Sequence, residues 1–143
     1  MAAAEYGFEI EKGTSFYLSF DYKDDNQVPI NLTGWCARLR WVDSSANIQT
    51  FITNTINSSY SFLIDPLIGR ITLQFPATYT AALTFTSAAY DLELQEPNDL
   101  YNGGGKKVFR ILKGTISLLT RNVTGNDVFV CNTDSQDPCN NCQ

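Results

Sequence analysis

The chain is 143 residues long, 43% hydrophobic and 17% charged, a length that encloses one core and leaves no obvious room for a second. Ten basic against fifteen acidic residues give a net charge of -5, a field that repels nucleic acid and anionic membrane surfaces. Histidine is missing altogether, which removes the commonest general base, the Ser and Cys triads that need one, and most catalytic zinc sites.

The opening MAAAEYGFEI has neither a basic n-region nor an apolar h-region, and no apolar run approaches a bilayer span, so neither a Sec signal nor a membrane anchor is expected. Aromatics at 13% favour β structure, and period-2 patterns recur about every ten residues, the spacing of a sandwich or barrel. In TSFYLSFDY, Phe16, Leu18, Phe20 and Tyr22 alternate with Tyr17, Ser19 and Asp21, which predicts a half-buried strand. KDDNQVP supplies a turn through Asp24, Asp25, Asn26 and Pro29. Beyond Gly34, WCARLRWV places Trp35, Ala37, Leu39 and Trp41 on one face and Cys36, Arg38 and Arg40 on the other. These two strands are expected to form a first hairpin.

ANIQTFITNTINSSYSFLIDP is expected to hold two short strands, one at 48–52 and one at 60–64. In GRITLQF, Ile71, Leu73 and Phe75 oppose Arg70, Thr72 and Gln74 until Pro76 stops the strand. ATYTAAL has room for about one helical turn, and AAYDLELQ resumes alternation with Tyr90, Leu92 and Leu94 inward and Asp91, Glu93 and Gln95 outward. These two strands bracket a crossover. EPNDLYNGGGKK reads as a turn-rich loop, and VFRILKGTISLLT as a long strand with a bulge or bend at Gly114. Regular patterning ends at Thr124. The inward rows are the expected inner layer of two antiparallel sheets.

Chemical constellations are sparse. GGGKK lacks the Ser or Thr of a phosphate-binding loop and does not sit between a strand and a helix, so it reads as a hairpin tip. Asp21, Asp24 and Asp25 could approach a calcium ion, but the spacing and distal Glu of a calcium hand are missing, which favours a solvated turn. Asp91 and Glu93 share a strand face and could suggest a glycosidase pair, or simply a polar face. Sequons at Asn31, Asn57 and Asn122 carry glycans only in a secretory pathway. Cys131, Cys139 and Cys142 cluster far from Cys36 in sequence, and a structural metal site, a disulfide, contacts between subunits and free thiols all remain open.

The ordered set KGTSFYLSFDYKDDNQVPINLTGWCARLRW, GRITLQFPATYTAALTFTSAAYDLEL and VFRILKGTISLLTRNVT resembles a family of small immunoglobulin-like domains of tailed bacteriophages and prophages. The type is that of the N-terminal domain of baseplate upper proteins and of standalone virion proteins of T4-like cyanophages. Its D-x-x-G-x-P-x-x-L-T-G turn corresponds to 25–34, its Arg-containing strand to Arg38 and Arg40, its G-x-I-x-L-x-L-P strand and Thr-Ala-Ala-Leu link to 69–83, Y-D-L-E to 90–93, and its closing L-x-G strand to 112–124. Gln27 stands where the family often has Gly, and Lys113 where an acidic residue is frequent.

The resemblance covers about residues 8–124 and implies an all-β, immunoglobulin-like antiparallel β-sandwich, assigned to residues 1–124 with one short helical link; the irregular Cys-containing tail at 125–143 lies outside the family pattern. It implies no enzymatic activity and no cofactor. The partners it implies are other virion proteins, with the chain in multiple copies of a symmetric assembly and a place in the virion at the tail, baseplate or fibre junction; the net charge of -5 and the short apolar runs add the expectation of no nucleic acid and no membrane partner. Head-surface decoration and receptor or glycan binding are the alternatives, the last requiring several aromatics to cluster on one loop end. The tail has too little apolar content to bury itself, so Val128, Phe129 and Val130 are the expected contacts to a neighbouring subunit.

Overall fold

The computed structural model describes residues 3–53, 59–99 and 105–120. Val128, Phe129, Val130, Cys131, Cys139, Cys142 and the sequons at Asn57 and Asn122 lie outside the described residues, as do the whole tail segment 125–143 and the tip of the GGGKK loop.

Nine strands and one α-helix appear in the order β1 (Ala4–Glu5), β2 (Phe8–Glu11), β3 (Phe16–Asp21), β4 (Cys36–Asp43), β5 (Ile48–Ile52), β6 (Ser61–Asp65), β7 (Arg70–Phe75), α1 (Ala77–Ala81), β8 (Ser87–Asp99) and β9 (Lys106–Leu119) among the described residues, with a 3-10 turn at Pro66–Ile68 between β6 and β7. They build a sandwich of two sheets. The six-stranded sheet runs β1-β9-β8-β4-β5, with β2 also on β9, and the three-stranded sheet runs β3-β7-β6. Lettering β3 as strand B gives a B-E-D sheet against a G-F-C-C′ sheet, the immunoglobulin strand order. Pairing is antiparallel except at one edge, where β1 and β2 run parallel to β9. The expected antiparallel sandwich is therefore present, with a parallel pairing added at one edge. An early strand that enters beside the last one in the same direction can pair with it only in parallel.

Alternation puts Ala37, Leu39 and Trp41 of β4, Tyr90, Leu92 and Leu94 of β8, and Ile71, Leu73 and Phe75 of β7 in the core. Phe16, Phe20 and Trp35 pack against it while half-buried, because β3 is an edge strand and Trp35 precedes β4. Aromatic rings fill the centre, with Phe51 centred 4.8 Å from Trp41 and 5.1 Å from Phe75. Such tilted contacts add to the burial of each ring. Thr80 of α1 is fully buried and satisfied: its hydroxyl accepts from Gly13 N–H at 3.0 Å and donates to the Thr14 carbonyl at 2.7 Å. The helix is thereby tied to the turn between β2 and β3.

The expected β3–β4 hairpin does not form. Both edges of β4 are taken, by β5 and β8, while β3 pairs with β7 in the other sheet. The link reverses only briefly, at the Lys23–Pro29 bridge, then inserts Leu32 into the core and bonds Leu32 N–H to the Pro66 carbonyl at 2.9 Å. Gly69 makes the passage possible. It is left-handed at φ 63, and a Cβ there would lie 2.6 Å from the Ile30 carbonyl oxygen.

The turn itself rests on Asp24, and the eleven-residue D-x-x-G-x-P-x-x-L-T-G pattern counted back from Gly34 begins there and not at residue 25. Its Oδ1 accepts from Asn26 N–H at 2.9 Å and Val28 N–H at 3.0 Å, and Gln27 is left-handed at φ 65. The β4–β5 turn repeats this construction: Asp43 Oδ1 accepts from Ser45 and Asn47, with Ala46 at φ 66.

Gly114 is not the bulge. Leu92 pairs with Leu112 while Glu93 pairs with Arg110, which leaves Ile111 as the extra residue. The extra residue changes the parity of β9, so that Ile111 and Leu112 both pack on the core. Gly114 serves another purpose, since a Cβ there would come 2.1 Å from the Tyr6 carbonyl oxygen. The absent side chain lets the β1–β2 connection cross β9 closely.

Candidate functional site

The outer face of the six-stranded sheet gathers the charged positions that alternation turns away from the core. One row across it reads Ile52, Arg38, Glu93, Arg110, and the next reads Thr50, Arg40, Asp91, Lys113. Arg38 donates through Nε and Nη2 to Glu93 Oε1 at 3.1 and 2.8 Å. Arg110 meets Asp91 at 3.4 Å, and Lys113 meets Glu5 at 3.6 Å. Pairs this exposed contribute less than about 1 kcal/mol each, so they set the pattern of the face more than its stability. Arg40 makes no ion pair among the described residues.

Apolar side chains border these charges. Val42, Ile48, Ile52 and Val108 are all exposed. A depression of about 140 Å³ lies between Cys36, Ile52 and Val108, and another of about 310 Å³ between Arg40, Val42, Ile48 and Asp91. Both are shallow parts of one surface. Such a mixture of exposed apolar groups and charges suits contact with another macromolecule.

The carboxylates weighed from sequence fall into ion pairs and turns. Asp91 and Glu93 are held by Arg110 and Arg38 across the sheet. Asp24 accepts two backbone N–H groups of its own turn. Asp21 faces Arg70, which donates Nε to Oδ1 at 2.7 Å and Nη2 to Oδ2 at 3.1 Å, and these hydrogen bonds hold the Asp21 carboxyl below its ordinary range. No three metal-ligating side chains converge among the described residues.

Cys36 is half-buried, and Thr53 Oγ1 donates to its sulfur at 3.5 Å. The same Thr53 hydroxyl accepts from Ala37 N–H at 2.9 Å, so this corner is a clasp between β4 and the end of β5. Any pairing of Cys36 with Cys131, Cys139 or Cys142 falls outside the described residues. Asn31 of the first sequon is exposed, and its Oδ1 accepts from Thr33 N–H at 2.9 Å.

The aromatic content that could have served a glycan lies largely inside. Trp41, Phe51, Phe75 and Phe85 are buried, and Tyr79 beside them is half-buried with its phenol pushed up to about 12 by that burial. Burial likewise pushes the Tyr90 phenol up to about 12, and its hydroxyl donates to the Tyr6 carbonyl at 2.5 Å. Sequence reading missed the apolar border of the outer face because Val42, Ile48, Ile52 and Val108 are scattered over three strands. Their common face emerges only from the register. Compared with known proteins, the chain matches no family model and no curated protein. Among the described residues no helix is long and apolar enough to cross a membrane.

Proposed function

We propose that this chain is a non-enzymatic structural module of a tailed-bacteriophage virion, most simply of the tail, baseplate or fibre junction, that binds neighbouring subunits through the outer face of its six-stranded sheet. One observation carries the reading. The residues on which the sequence resemblance turns are those that the backbone needs: Gly34 and Gly69 are left-handed at φ 82 and 63, and Gly114 admits the Tyr6 carbonyl. Gln27, where the resemblance leads one to expect glycine, also holds a left-handed conformation at φ 65. A motif set whose departure at Gln27 keeps the left-handed backbone supports common construction, although fold by itself does not assign function. The outer face supports the docking role through Arg40, which makes no ion pair among the described residues, and through its exposed apolar border.

The test is the particle itself. Virions of the phage or prophage whose genome encodes the chain are expected to contain it in multiple copies by mass spectrometry. Arg40→Asp combined with Val108→Asp is expected to lower its incorporation about tenfold, as loss of roughly 1.4 kcal/mol of contact would, with the circular dichroism of the isolated protein unchanged. A chain missing from purified virions, or turnover of a nucleotide or bacterial glycan abolished by Glu93→Gln, overturns the proposal.

A further inference from the structure

Among the described residues β5 has an open edge, and this edge differs from the other open edges of the sandwich. Its five residues, IQTFI, carry no charge and no proline, whereas β2 carries Glu9 and Glu11, β3 ends on Asp21 and β6 ends on Asp65. Charged residues and prolines are what proteins use to blunt an open edge. Thr53 N–H bonds the Ala37 carbonyl and Asp43 N–H bonds the Asn47 carbonyl, and these two bonds bracket the β4–β5 ladder. In an antiparallel ladder, residues that bond across the pair alternate with residues whose backbone groups point the other way. Ile48, Thr50 and Ile52 therefore direct their N–H and C=O groups to the open edge. The same three residues have exposed side chains on the outer face, where Ile48 is 56% exposed and Ile52 40%.

We propose that β5 pairs with β5 of a second copy of this chain, antiparallel about a twofold axis at Thr50, so that two six-stranded sheets become one continuous sheet. The sequence of the edge is self-complementary in that arrangement. Thr50 faces Thr50 of the other copy, and Ile48 faces its Ile52. Each facing pair exchanges both backbone hydrogen bonds, and Thr–Thr and paired β-branched contacts are favourable cross-strand neighbours. Val42, already beside Ile48 in the register, extends the apolar strip. No like charges meet at the axis. The nearest, Arg40 of each copy, are separated by three strand spacings, about 14 Å, beyond the screening length at physiological salt. An isologous contact of this kind closes on itself and yields a dimer rather than a fibre.

This inference deepens the assembly role proposed above by naming one partner, yet it is tested on the isolated full chain, so its failure leaves the virion test untouched. Sedimentation across a wide concentration range is expected to show a reversible monomer–dimer equilibrium. Thr50→Lys sets two ammonium groups face to face and is expected to weaken the dimer about tenfold or more. Thr50→Pro removes an edge donor without touching the ladder to β4 and is expected to do the same. Leu63→Lys, which removes an exposed apolar group from β6, is expected to leave the dimer unchanged. Thr50→Cys provides the positive arm. Facing residues of a hydrogen-bonded pair lie about 5.5 Å apart, within disulfide reach, so mild oxidation should link residue 50 to residue 50 in a peptide map. A chain that stays monomeric at all concentrations, or self-association that Thr50→Lys and Thr50→Pro leave intact in folded protein, overturns the proposal.

Discussion

Strands β4 and β8 show two different proteins on their two sides. Facing inward, Ala37, Leu39 and Trp41 lie against Tyr90, Leu92 and Leu94, every one at 3% exposure or less. Facing outward, Arg38 and Arg40 oppose Glu93 and Asp91, exposed or half-exposed, and the ion pairs there, Arg38 with Glu93 and Arg110 with Asp91, are largely screened by water. The inner side requires particular volumes, since removing a methylene there leaves a void. The outer side requires only a pattern of sign and shape, which leaves it free to be matched to a partner.

The sharpest way to break this contrast is Leu92→Ala, expected to cost about 2–5 kcal/mol through lost burial and the cavity left behind. Denaturant unfolding measures it, and a loss below about 1 kcal/mol would place Leu92 outside the core. Next comes pH. Tyr79 and Tyr90 titrate near 12 in the folded protein instead of near 10.0, so the folded state keeps protons that the unfolded chain releases. Stability should be complete below pH 10 and fall as pH rises from 10 towards 12, an alkaline arm that belongs to the inner layer, and Tyr79→Phe should flatten it in equilibrium unfolding. The outward Asp21 works at the other end of the scale: its carboxyl is depressed by Arg70, so its contribution is present above 3.8 and lost as pH falls below. Asp21→Asn should therefore reduce the acid sensitivity of unfolding.

Smaller effects sharpen the outer side. Gln27→Gly and Ala46→Gly should each raise stability by up to about 1 kcal/mol, because a left-handed conformation is strained for residues with a Cβ and free for glycine. Thermal unfolding of the single and double variants checks both turns at once, and their effects should add because the turns are independent. Arg38→Ala should change stability by less than about 1 kcal/mol, an upper bound that a double-mutant cycle with Glu93→Ala reads directly.

Legibility followed the same division. The inward rows could be read from alternation because burial on one side forces a period of two, and Leu39, Trp41, Ile71, Leu73, Phe75, Leu92 and Leu94 are indeed buried. The partner of β3 could not be read. A turn between two strands looks alike whether the strands pair or part company, and only Leu32 going inward and Gly69 meeting Ile30 show that they part. The bulge was displaced from Gly114 to Ile111 because a glycine marks either a bend or a close approach, and the neighbour that decides between them, Tyr6, is far away in sequence. The adjacent apolar pair Ile111 and Leu112 was the available signal for the change of parity. The outer face was legible as charges but not as a surface, since its rows depend on register. Ala46 escaped altogether, for nothing about alanine announces a left-handed turn.

The parallel edge has a consequence for the order of events in folding. Phe8 and Ile10 of β2 are buried opposite Ile116 and Leu118 of β9, so two early segments of the chain find their hydrogen-bond partners only in the last described strand. Pairings this distant in sequence close the largest loop in the molecule and reward the chain after its entropy has already been reduced elsewhere. During synthesis, a polypeptide grown as far as β8 can pair β3, β6 and β7 in one sheet and β4, β5 and β8 in the other, while Phe8 and Ile10 stand without a sheet to join. Only β9 supplies the sheet edge that β1 and β2 need, so the first strands of the chain wait for its last described one.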